Sequence, residues 1–451
     1  MGGRAVVVET RFYLSGNFGP VSDELTADDL EVQGTIPPQL CGLYVHNGPN
    51  PPPGVDPGHW FYGQGMLHGV ALSGGAATWY RNRSVRTPQF VANGNEPPRD
   101  IAGYVGFNQA NTNVIGHGGR ILALVESQFP TEVTPTLETV GPYDFGGKLG
   151  TAMTAHPKLC PTTGELHFYG YGPFAPHVTY YVADATGALV HRTPVDVPAM
   201  TFMHDVALTA HSVVFLDLPV VADLARLAEG TLPFRWSDDY GARLGVLARR
   251  GEGSAVRWFD IEPCYAFHVL NATEAIPGQI EIDVVRFPDF WRDDTHRLPP
   301  TTLHRWSIDT AAGKVAEHTL DDRSVEFPVV DPRRVGIGHR YGYAVERSDG
   351  RDGNVLSSAV VKYDLQEGST QRHDFGPGHV PDEAVFVPAA ADAGEDEGYL
   401  VGYVYDAGRD RSDLVILDAT DLTSPPVAVI RLPQRVPHGF HGSWIPDRDD
   451  R

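Results

Sequence analysis

The chain has 451 residues, among them 49 glycines and 37 prolines, with aromatic side chains at 10%. Its 57 acidic residues outnumber 35 basic ones, giving a net charge of −22. That balance excludes a nucleic-acid backbone and simple electrostatic docking on anionic lipid as the main partner, and suits a neutral, apolar small molecule better.

In chain order, the first 58 residues read as an ordered, Pro-rich N-terminal arm packed on the rest, with Phe12, Tyr13 and Phe18 to bury. Their opening, MGGRAVVVETRFYLSG, has an apolar run too short for a signal peptide. No later segment approaches the length of a membrane span, so a cytoplasmic protein is expected. Cys41, Cys160 and Cys264 are odd in number and far apart. They indicate neither a disulfide framework nor a CxxC metal site, and read as reduced thiols.

From about Trp60 onward a short β-rich run followed by a Gly-bearing turn recurs, as in HPKLCPTTGELHFYGYG, TYYVADATGALVHRTPV and LHRWSIDTAAGKVAEHTL. Turns of this chemistry between β-branched and aromatic runs predict hairpins. Recurrence at roughly 45 to 65 residues predicts an all-β propeller in one domain, residues 1–451. Residues 220–230, VVADLARLAEG, are the clearest helical candidate, a loop excursion on one face with FRWSDDYGARLGVLARR after it. The acidic tract ADAGEDEG near residue 395 reads as a solvated hairpin tip.

Most of the 19 histidines must be ordinary. Four stand apart by their surroundings: His156 in TAHPK, His204 behind Phe202 and Met203, His268 behind Tyr265, Ala266 and Phe267, and His441 behind Phe440. They are separated by 48, 64 and 173 residues, about one, one and three blades. Each would then come from a different blade and all could face one axis, where inner strands converge and a metal could take one ligand per strand. Imidazole suits iron, zinc, copper and nickel alike. Four such ligands on an octahedral ion leave two positions open, which a redox-active Fe(II) would use. Glu126, Glu326 and Glu383 sit in or beside β-rich runs where an apolar residue is expected. They are candidates to accept the far ring N–H of the histidines, against the ordinary reading of water-facing edge charges.

Taken together, GLYVHNGPNP at 42–51, HWFYGQGMLHGV at 59–70, ANTNVIGHGGRILALVE at 110–126, FMHDVALTAHSVVFLDLP, CYAFHVLNATE, VEFPVVDPRRVG, PDEAVFVP and HGFHGSWIP make a chain that resembles the carotenoid cleavage oxygenases, which include stilbene-cleaving enzymes. The resemblance spans nearly the whole length. It implies a seven-bladed β-propeller with Fe(2+) held by His156, His204, His268 and His441, and with Glu126, Glu326 and Glu383 behind them. It implies scission of a C=C bond by O2 into two carbonyl products, with no organic cofactor and with the polyene in an apolar tunnel. It also implies that Thr112 lies near a further coordination position, its methyl group restricting access, and that Phe202 and Val125 belong to the substrate pocket. Because polyenes partition into bilayers, a weak peripheral membrane contact is expected at the tunnel mouth, within residues 219–250, where the ordinary reading is a packed helix.

The chain departs from the family pattern at three places. Tyr62 and Gln64 replace a usual acidic pair, Val125 stands where stilbene-cleaving members carry a lysine, and Ser84 stands where they tend to carry a tyrosine. The missing phenol-reading pair tilts the expectation toward a carotenoid or apocarotenoid. The alternatives are a stilbene or phenylpropenoid alkene, a non-cleaving isoprenoid binder, the family's isomerohydrolase chemistry, and a metal-dependent hydrolase, against which four histidine ligands speak.

Overall fold

The computed structural model describes residues 11–93, 96–126, 128–292, 298–347 and 356–447. Among them, seven antiparallel sheets of four or five strands surround one axis as a seven-bladed β-propeller, with an additional two-stranded sheet. The first ten residues of the expected arm lie outside the described residues.

Middle strands are buried on both faces, and their sequences are accordingly continuous runs, such as Leu414, Val415, Ile416 and Leu417. Outer strands alternate, as Leu189–Val195 does, because only one face meets a neighbour. The hairpin joining Val178–Ala183 to Leu189–Val195 turns where the Asp184 carboxylate accepts the N–H groups of Thr186 and Ala188. The apolar core lies between blades. One cluster, for instance, joins Tyr44, Val70 and Tyr80 of the first blade to Val401, Tyr403 and Ile416 of the last.

The ring is closed twice. The C-terminal strand His441–Pro446 pairs with Gly42–Pro49 as the innermost strand of the first blade. Val32–Gly34 adds an outer strand to the last blade beside Ala428–Arg431. The N-terminal stretch is thus an arm only in part, since Gly42–Pro49 is fully buried within a blade. Ahead of it, the rings of Phe12 and Phe18 pack against Trp60 at 6.1 and 5.3 Å.

Two expectations are corrected. Residues 220–230 form no α-helix: Val220–Ala222 is a strand paired with Phe234–Trp236, and a 3₁₀ turn, Leu224–Glu229, follows. The β-branched Val220 and Val221 are drawn into extended backbone by bonds from Phe202 N–H to the Val220 carbonyl and from Ala222 N–H to the Met200 carbonyl. The stretch after it supplies a second strand, Ala242–Ala248. The acidic tract is not simply solvated either. Glu395 accepts the backbone N–H groups of Arg340 and Tyr341, and Asp396 pairs with the buried Lys362 at 2.7 Å, so the loop clasps the preceding blade. The α-helices that are present, Pro88–Asn93 and Ile101–Gly106, are short. The second is capped by Asp100, which accepts the Gly103 N–H. No described helix is long and apolar enough to cross a membrane. No large apolar side chain in 219–250 is among the exposed ones, which include Val91, Ile101 and Val105 of the two short helices.

Neighbouring inner strands are stitched together near the axis. Asn47 Nδ2 donates to the carbonyls of Ala110 and Asn113, Asn113 Nδ2 to Ala155, and Thr154 Oγ1 to His204. Asp205, 2% exposed, does most. Its carboxylate accepts Lys158 Nζ at 2.8 to 2.9 Å, Val206 N–H at 2.7 Å and Val269 N–H at 2.8 Å. Asp205→Ala would leave a poorly hydrated ammonium and two orphaned N–H groups. We expect it to lower unfolding free energy by about 3–5 kcal/mol, read by guanidinium titration. Gly34 has φ +87°, and a Cβ there would lie 2.3 Å from the Val427 carbonyl oxygen. Gly34→Val should therefore cost about 1–3 kcal/mol in the same titration, although it sits on the outermost strand.

Candidate metal centre and substrate cavity

Each of the four histidines precedes or begins an inner strand. His156 and His204 stand two residues ahead of Lys158–Leu159 and Val206–Leu208, His268 one ahead of Val269–Ile276, and His441 opens His441–Pro446. Their four blades bring the rings to one point on the axis, where one nitrogen from each lies within 4.8 Å of the others. All four are 5 to 8% exposed. The ring centroids of His156 are 4.3 Å from His204 and 4.5 Å from His441.

The three glutamates stand behind them, on the three blades that supply no histidine of this set. Glu326 Oε2 is 2.5 Å from His268 Nδ1 and accepts the Phe327 N–H. Glu383 Oε1 is 3.1 Å from His441 Nδ1, and its other oxygen accepts the Gly442 N–H. Glu126 Oε1 lies 3.2 Å from His204 Nδ1 and 3.9 Å from His156 Nε2. Glu326 and Glu383 sit where register shifts interrupt strand pairing, and such bulges re-aim side chains. This is why charged residues occupy otherwise apolar runs.

Burial, and then the neighbouring rings, hold His156 and His204 well below the usual imidazole value, so both are neutral and can offer a lone pair. Burial is the largest influence on His268 and opposes its charge, but Glu326, with Asp205 and Glu383, together outweigh it and raise that ring. Glu126 is pushed well above the carboxylate range by burial and by Asp205. His156 Nε2, His268 Nε2 and both Glu126 oxygens are buried without a hydrogen-bond partner. Orphaned nitrogens facing one point, with buried carboxylates behind, are what a bound dication would satisfy. The donor set therefore fits a metal.

The cluster forms the floor of a cavity walled mainly by aromatic rings. Phe202, Phe267, Phe290 and Trp291 pack on one another, with the Phe202 ring 5.6 Å from His204 and 5.2 Å from Trp291. Val125 and Thr112 line the same space. The Thr112 hydroxyl donates to Asn111 Oδ1 at 3.0 Å, and Asn111 is itself anchored on the carbonyls of Phe61 and Gly63. Trp291 and Phe327 both have left-handed backbone, at φ 51° and 53°. Neither was found from the sequence, where nothing marks a non-glycine residue for that conformation. His438 and Asp382 were also missed. The HGFH spacing held the one available signal.

The three departures are placed differently. Gln64 donates to the carbonyls of Val85 and Gln109 and braces a turn. Tyr62 lines the cavity and reaches the Thr231 carbonyl at 3.3 Å. Ser84 lies outside the cavity lining, its N–H bonded to Glu24.

The family model described as retinal pigment epithelial membrane protein matches residues 18–446. A carotenoid cleavage oxygenase of Mycobacterium tuberculosis is 40% identical, the match covering 96% of this chain and 97% of that one. The crystal structure of Pseudomonas brassicacearum lignostilbene dioxygenase superposes with a TM-score of 0.89 at 29% identity, covering 97% of this chain and 99% of the other. A cobalt-substituted Synechocystis apocarotenoid oxygenase does so with a TM-score of 0.82 at 29% identity, covering 94% and 97%. The axial histidine cluster, the aromatic cavity above it and these matches along the whole length agree: the chain belongs to the carotenoid cleavage oxygenase family and is an oxygenase.

Proposed function

We propose that the protein cleaves a C=C bond of a carotenoid or apocarotenoid with O2, using iron(II) held by His156, His204, His268 and His441. The observation that carries this is the convergence of four buried imidazoles beneath an aromatic cavity. Neutral imidazoles alone would leave the dication unbalanced, and Glu126, Glu326 and Glu383 supply charge from behind while fixing the rings. Four histidines without a carboxylate in the same cluster speak against a metal hydrolase, whose sites favour carboxylate or Asn ligands.

Bound iron(II) supplies the redox centre that lets dioxygen react with an alkene. The balance is simple: the C=C bond breaks, each carbon gains one oxygen atom of O2, and the alkene supplies the electrons. The chain's own part is alignment and exclusion of water. Phe202, Phe267 and Trp291 present flat apolar faces to a conjugated substrate, and Val125 keeps a charged group from the wall beside Glu126. The engaged Thr112 hydroxyl supports the reading that its methyl group narrows access beside the metal. Three free thiols suit a reducing, cytoplasmic setting.

A stilbene or phenylpropenoid alkene is the second reading, favoured by the closer superposition on the lignostilbene enzyme than on the apocarotenoid oxygenase. Oxygen uptake by iron-loaded protein, with products identified by mass, should be run on an apocarotenal and a 4-hydroxystilbene in parallel. Aldehydes from the apocarotenal alone support the polyene reading, cleavage of the stilbene alone replaces it, and no uptake with either overturns both. In the same assays His204→Ala and His441→Ala should lose iron and turnover altogether. Glu326→Gln should weaken metal affinity or activity about 10- to 100-fold, since it keeps a hydrogen-bonding group but removes the charge. Stoichiometric iron in His204→Ala would refute the ligand set.

A further inference from the structure

The cavity wall contains a polar pair that the metal centre does not use. His438 and Asp382 are each 5% exposed, and His438 Nδ1 is hydrogen-bonded to Asp382 Oδ1. The backbone holds the imidazole in place as well. The His438 N–H donates to the Asn17 carbonyl of the N-terminal arm at 2.8 Å. Trp60 stacks on the ring at 5.7 Å and 18°, and Phe18 meets it edge-on at 4.8 Å. The next residue must be glycine: a Cβ on Gly439 would lie 2.4 Å from His46 Cε1 and 2.8 Å from the Asn47 carbonyl oxygen.

Asp382 lies in the same strand bulge as Glu383, so one backbone irregularity aims two adjacent carboxylates at two different histidines. Glu383 serves His441 in the metal cluster. Asp382 serves His438, which lines the cavity. A carboxylate that accepts the Nδ1–H fixes the tautomer, leaving the lone pair on Nε2. Among the described residues Nε2 has no hydrogen-bond partner. Nε2 is not among the buried unpartnered atoms, so it opens to the cavity, where a ligand hydroxyl can reach it.

We propose that His438, oriented by Asp382, recognises a hydroxyl group of the substrate by accepting its hydrogen bond at Nε2. This rests on the second reading above, a stilbene or phenylpropenoid alkene, and narrows it to hydroxylated ones. Position narrows it further. The Phe327 ring lies 6.4 Å from His438 and 5.5 Å from His441, so one aromatic ring bridges the pair and the metal cluster. The hydroxyl therefore belongs to the part of the substrate next to the scissile bond, as on a 4-hydroxyphenyl group, and not to the remote end of a long polyene. His438 thus takes the role that Val125 and Ser84 cannot.

The test compares 4-hydroxystilbene with unsubstituted stilbene. Binding to the metal-free protein is followed by quenching of tryptophan fluorescence, to which Trp60 and Trp291 in the wall contribute. Turnover of the iron-loaded protein is measured alongside. The wild type should bind the hydroxylated ligand about 2- to 10-fold more tightly, the range expected for a hydrogen bond between neutral groups. His438→Phe should bring that ratio close to one. Asp382→Asn, a second and milder variant, should give an intermediate ratio with the ring still in place. A ratio near one in the wild type, or one that survives both substitutions, overturns the assignment even if the apocarotenal is cleaved. Selective binding without turnover of any alkene would instead sink the proposed reaction and leave the assignment intact.

Discussion

A buried aspartate surrounded by donors from three different strands holds the site in shape. Asp205 follows His204, takes the ammonium of Lys158 two residues beyond His156, and takes the N–H of Val269, the residue after His268. Three of the four axial histidines are thereby indexed to one carboxylate. Inner strands of a propeller approach one another only at the axis, and their edges there do not share a ladder of backbone bonds. Their relative height is set by side chains reaching across the gap, and Asp205, Asn47, Asn113 and Thr154 do so in succession around the ring. A shift of one strand by a fraction of an ångström would spoil a four-point cluster, so this network matters more to function than any single histidine's own packing.

Electrostatics follow from the same burial. Glu126, Glu326 and Glu383, with Asp205 beside them, crowd buried carboxyl groups around four imidazoles, of which burial holds His156 and His204 well below their usual range. Without a cation the arrangement is costly, as the raised Glu126 shows. With a dication at the centre, each carboxylate lies one imidazole away from the opposite charge. Stability of the axis and occupancy of the site are therefore linked, in the sense that whatever binds the folded cluster and not the unfolded chain favours the fold.

Much of this was legible in the chain because it depends on local pattern. Aromatic residues one or two places before His204, His268 and His441 mark strand entries at the axis, and blade-length separations place them on different sheets. Carboxylates inside apolar runs marked Glu126, Glu326 and Glu383, since a charge there needs a partner. What was not legible depends on distant contacts. Residues 220–230 have helical spacing, yet the carbonyl of Met200 and the N–H of Phe202 draw them into strand pairing. The acidic loop at 395 is ordered by donors 55 residues away, at Arg340. Asp382 and His438 are separated by 56 residues, and nothing local distinguishes Asp382 from an ordinary strand charge.

The cavity wall depends on conformations that the chain would not adopt alone. Trp291 and Phe327 are held with positive φ, each at a cost of about 1–3 kcal/mol. Phe327 is kept there by the bulge beside Glu326, whose carboxylate takes both its N–H and the ring of His268. Trp291 is held by its carbonyl, which accepts the Trp236 N–H, and by rings on several sides. The interaction that orients an axial histidine therefore also places a wall residue against it, with the Phe327 ring stacked on His268 at 5.6 Å. The histidine cluster and the cavity wall are set by the same few bonds. A mutation at Glu326 would be felt in the pocket's shape as well as in the metal's affinity, and the two effects cannot be separated by changing that residue alone.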